Sequence, residues 1–86
     1  MPLHSHDFVE EYTGMVGYGL DRETDQATLQ VYLQKFSDDV FMKHMLPRLH
    51  QEDMDQLFDL LSGLLRKHLE ENEYHTLFLK EPDHEH

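Results

Sequence analysis

The stretch Met54–Leu69, MDQLFDLLSGLLRKHL, decides how the 86-residue chain is read. At about 100° per residue, Met54, Leu57, Phe58, Leu61, Leu64, Leu65 and Leu69 fall in one wide apolar stripe. Leu60 lies on its edge, and Asp55, Asp59 and Arg66 project away from it. This is an amphipathic helix. Its stripe is wider than a two-stranded seam requires, so other helices of the chain or a second copy of the protein should cover it. Leu57, Phe58, Leu61, Leu64, Leu65 and Leu69 are therefore the expected shared core and self-association set.

Upstream, further helical periods appear. Ser5 is placed to cap a first helix with Asp7, Glu10 and Glu11 in its early turn, where carboxylates suit the positive end of the dipole. Its apolar face is Phe8, Val9, Tyr12, Met15 and Val16, and Gly17 or Gly19 should end it. Residues 1–5 read as a loose lead-in. Asp21 or Thr24 caps a second helix through Ala27, Leu29, Tyr32, Leu33 and Phe36, with Gln30, Gln34 and Lys35 outside. Ser37, followed by Asp38 and Asp39, opens a short third helix through Val40, Phe41, His44 and Met45. The Leu46–Pro47 bond should stop or kink it. The alternative is that the second and third helices form one bent rod.

The fourth helix is the quoted stretch, with Glu52 and Asp53 at its start. Past Leu69 the stripe changes phase: Tyr74, Leu77 and Phe78 lie on another side from Leu61 and Leu65. A break near Asn72 is expected, with Asn72 capping a short fifth helix, although YHTLFL also has strand-like composition. The fold class is all-α: a small bundle of four main helices with room for a short fifth C-terminal helix. Residues 1–80 read as a single helical domain and 81–86 as a frayed acidic and histidine tail.

Eighteen acidic against seven basic residues give a net charge of −11. Nucleic-acid binding needs clustered Lys and Arg, and Arg66–Lys67 is the one adjacent basic pair, so neither nucleic acid nor an anionic membrane is an expected direct ligand. A protein partner with a basic patch fits the charge better. With no cysteine there is no disulfide framework or thiolate zinc site, which favours the cytoplasm. No apolar run reaches the ~20 residues of a membrane span, and MPLHSHDF lacks the pattern of a signal peptide.

Chemistry finds little to build on. Gly14, Gly17 and Gly19 spell the wrong glycine order for a dinucleotide loop and follow a helix. No calcium loop or serine elbow is present, so the chain is not read as an enzyme and no cofactor is expected. The eight histidines are the one compositional pointer to chemistry. On an unbroken helix, His68, Glu71 and His75 would share one face and could ligate a metal, but the break near Asn72 would dissolve that alignment. If Met1 were removed, Pro2-Leu3-His4 could hold Cu(II) or Ni(II), a hazard of purification rather than a function.

The leading reading is a small acidic interaction or regulatory module that self-associates and docks a protein partner through Tyr74, Leu77 and Phe78. The alternatives are a His/carboxylate metal-binding bundle and an acidic decoy for a basic nucleic-acid-binding protein.

Overall fold

The computed structural model describes residues 3–81. Among them all regular structure is helical, so the chain is a small all-α protein. It divides into two compact units, Met1–Arg48 and Leu49–His86.

In the first unit, α1 spans Asp7–Glu11, α2 Arg22–Phe36 and α3 Asp39–Met45, with a 3-10 turn at Leu46–Arg48. The first helix is much shorter than its apolar spacing predicts. Its chain turns extended at Tyr12 (φ −72°, ψ 123°), whose ring stacks on Phe8 with centroids 5.2 Å apart. The Tyr12 hydroxyl donates to the Met15 carbonyl at 2.9 Å, closing the chain over Gly14. A Cβ at Gly14 would sit 2.6 Å from Tyr12 Cζ, so the glycine serves this close approach rather than a helix interior. Gly19 has φ +94°, but it lies in the loop and is not a helix terminus.

Of the two expected caps of the second helix, Asp21 is the one that acts: its side chain accepts from Thr24 N at 2.8 Å. Those hydrogen bonds, backbone first, hold the Asp21 carboxyl below its ordinary value. The buried face differs from the expected one. Thr28 and Val31 are buried, while Leu29, Tyr32 and Leu33 are half or more exposed. The Thr28 hydroxyl accepts from Gly17 N at 2.9 Å and donates to the Gly17 carbonyl at 3.2 Å. Gln34, expected outside, accepts from Val9 N at 3.0 Å and ties α1 to α2. Polar side chains face inward here because α1 and its loop leave backbone groups that need partners.

The second and third helices are separate. Ser37 ends α2 and the N-cap of α3 is Asp38, which accepts from Val40 N and Phe41 N at 3.2 and 3.3 Å. At Pro47 the helix tightens into the 3-10 turn, while Leu46 keeps helical angles (φ −56°, ψ −44°).

In the second unit, α4 spans Gln51–His68, and Asp53 accepts from His50 N at 2.9 Å at its start. Eighteen residues make five turns, the length expected from the stripe. The break falls earlier than Asn72: Leu69 is extended (φ −115°, ψ 143°), and Glu70, not Asn72, precedes the next helix. That helix, α5, spans Glu71–Glu73 and widens into a π turn at Tyr74–Phe78. Glu73 accepts from Glu70 N at 2.9 Å. YHTLF is thus helical despite its composition, and Lys80 just beyond it has φ 59°. Of the expected 81–86 tail, residues 82–86 lie outside the described residues, as does Pro2 of the expected copper-binding tripeptide.

Candidate functional site: exposed helix faces

The fourth helix carries the largest apolar display. None of its residues is buried. Phe58 is 71% exposed and Leu60 60%, with Leu57, Leu61 and Leu64 between 38% and 45%. Leu65 and Leu69 are half-buried. They line, with Arg66 and Tyr74, a groove of about 510 Å³ between α4 and α5. The six residues expected as a shared core therefore form a continuous stripe, but no part of it is buried as the interior of a folded bundle is.

Tyr74, Leu77 and Phe78 come together on the π turn. Tyr74 stacks on Phe78, centroids 5.6 Å apart and planes within 13°, and is half-buried. Leu77 and Phe78 remain 60% and 57% exposed. Glu81 closes this turn: its amide donates to the His75 carbonyl at 3.0 Å and its carboxylate lies 2.8 Å from His75 Nδ1.

The metal trio is not brought together. His68 ends α4 and Glu71 begins α5, with the extended Leu69 between them, so the single face that the ligand spacing needs does not exist. Glu71 stands 4.0 Å from His75, which is instead paired with Glu81. Among the described residues no three His, Asp or Glu side chains cluster as metal ligands would.

A polar clasp in the first unit is absent from the sequence reading. Ser5 N donates to Asp38 Oδ1 at 2.8 Å, and the Ser5 hydroxyl donates to the same oxygen and accepts from Asp39 N, both at 3.1 Å. Leu3 N and His4 N donate to the two Glu10 oxygens at 3.0 and 2.9 Å. The described part of the lead-in is therefore pinned rather than loose, and Ser5 serves the start of α3 instead of capping α1. Lys35 Nζ lies 3.3 Å from His4 Nε2. The other ring nitrogen, Nδ1, pairs with a Glu10 carboxylate oxygen. The hydrogen bonds, from the His4 ring first, hold the Glu10 carboxyl below its ordinary value. Those from Ser5 N first, then Phe41 N, do the same for Asp38.

His6 Nε2 lies 2.9 Å from the Ser37 hydroxyl, a pairing seen in nucleophilic sites. Here Ser37 ends a helix on the exposed surface, and no carboxylate orients the His6 ring among the described residues. The contact fastens the lead-in and lacks the third member of a triad. Beside the clasp, Tyr32, Phe36, Val40 and Phe41 line a shallow groove of about 590 Å³.

Among the described residues no helix is long and apolar enough to cross a membrane. No protein-family model matches the chain, and neither does any curated protein or solved structure.

Proposed function

We propose that this protein is a small acidic interaction module of the cytoplasm, one that self-associates through α4 and presents Tyr74, Leu77 and Phe78 to a protein partner. The observation that carries this reading is the exposure of the α4 stripe, with Phe58 at 71% on a five-turn amphipathic helix. Apolar surface of that extent is costly in water, at about 25 cal/mol per Å², and a contiguous display of it marks an association surface. The net charge of −11 favours a partner with a basic patch, since complementary fields speed encounter.

Sedimentation equilibrium over a wide concentration range tests the first half: a dimer is expected, and a monomer throughout would end the self-association reading. Pull-down with the L77E/F78E double variant tests the second half. Loss of the partner while the dimer persists is expected, and unaltered recovery would remove those residues from the docking surface.

A further inference from the structure

The loop between α1 and α2 is fastened at three points. Its first end is closed over Gly14 by the bond from the Tyr12 hydroxyl to the Met15 carbonyl. At Gly17 both backbone groups pair with the hydroxyl of Thr28, a residue only 3% exposed. Farther on, Gly19 N and Leu20 N both donate to Asp25 Oδ1, at 2.8 and 3.3 Å, a convergence that the φ of +94° at Gly19 allows. The loop held in this way still presents apolar side chains to solvent. Val16 and Leu20 are more than half exposed, and Tyr18 is 72% exposed.

Two shallow pockets adjoin at this loop, and Tyr18 and Leu29 line both. One, of about 440 Å³, is apolar and aromatic, with Val16 and Tyr32 on its walls. The other, of about 530 Å³, holds Asp21 and Asp25 together with Arg22. Two carboxylates outweigh one guanidinium there, and the net charge of −11 adds to the negative field. We propose that this pair of pockets docks a basic segment of a protein partner, with an apolar side chain in the first and a Lys or Arg over Asp21 and Asp25 in the second. Side chains two apart on an extended segment project on the same side, roughly 7 Å from one another, so adjoining pockets suit an apolar-x-basic sequence. A small amine would be enclosed over too little of its surface in pockets this open. Tyr18, shared between them, offers its ring to the apolar residue and to the cation alike. Because hydrogen bonds fix the loop beforehand, docking loses little entropy in ordering it. The surface lies wholly in the first unit, and it needs neither α4 association nor the patch of Tyr74, Leu77 and Phe78.

The probe is the capped peptide acetyl-Gly-Phe-Gly-Arg-Gly-amide, titrated into the full chain and followed through its amide resonances. Saturable shifts confined to residues 16–29 are expected, and shifts confined to α4 or to Tyr74–Phe78 would overturn the assignment. Replacing the peptide's Arg by Glu, or its Phe by Ala, should weaken binding roughly tenfold or more, since one pocket then loses its occupant. Equal binding of the Ala peptide would reduce the effect to unspecific attraction of a cation by an acidic protein. Phenethylamine binding as tightly as the peptide would assign the pockets to small amines. Either result overturns the proposal. Tyr18→Ser should cost a similar factor with helicity unchanged by circular dichroism, because the ring stands largely in solvent. Wild-type peptide affinity in that variant would contradict the docking. The L77E/F78E variant should bind the peptide as the unaltered protein does, which separates this surface from the C-terminal patch. Weakened binding there would move the peptide to that patch and overturn the proposal.

Discussion

Asp38 joins two jobs in one carboxylate: it caps α3 and receives the amide and hydroxyl of Ser5. Because hydrogen bonds hold its carboxyl below the ordinary value, as they do that of Glu10, folding favours the ionised form of both. The stability they add is present above the unfolded carboxylate value of about 4 and is lost as pH falls through the lower folded values. Leu3–His6 should therefore stay docked from neutral pH down to roughly pH 4 and loosen below it. The expected readout is faster exchange and a shifted resonance of the Ser5 amide on acidification. Asp38→Asn should produce the same change at neutral pH, and an unmoved Ser5 amide in that variant would show that the clasp does not form in solution.

At the scale of elements, the break at Leu69 controls what the C-terminal third can do. By ending α4 after five turns it separates His68 from Glu71 and His75, so melting with and without chelator should coincide. A chelator-dependent shift in melting temperature would contradict that. Beyond the π turn, Lys80 holds φ 59°, a region where an L-residue costs about 1–2 kcal/mol. Glycine carries no such penalty but gains entropy when unfolded, so Lys80→Gly should stabilise this turn by up to about 1 kcal/mol. Slower amide exchange at Leu79 and Glu81, which donate to the Tyr74 and His75 carbonyls, would report it.

For the molecule as a whole, burial is sparse: among the described residues only Thr28 and Val31 are buried, both on α2. If α4 associates as proposed, mass action ties melting to protein concentration. Raising the protein concentration about tenfold should lift the melting temperature by several degrees. Leu61→Glu should abolish that dependence, because it places a carboxylate in the middle of the apolar stripe. Melting of the unaltered protein that is independent of concentration would count against self-association.

The sequence by itself determined the helical class, the start of α2 to within Asp21 or Thr24, the five-turn length of α4 and the change of phase after Leu69. Each depends on residues a few positions apart, and helix period, capping and dipole act over that range. It misplaced the end of α1, where the Tyr12 ring folds over Gly14, and the cap of α5, where Glu70 and Glu73 pair instead of Asn72 acting alone. Only the tertiary structure decided that Ser5 reaches Asp38 across 33 positions, that Gln34 turns inward to Val9, and that Thr28 clasps Gly17. Those pairings follow from which backbone groups are left without partners once the helices pack. That need arises in three dimensions and leaves no periodic trace in the sequence.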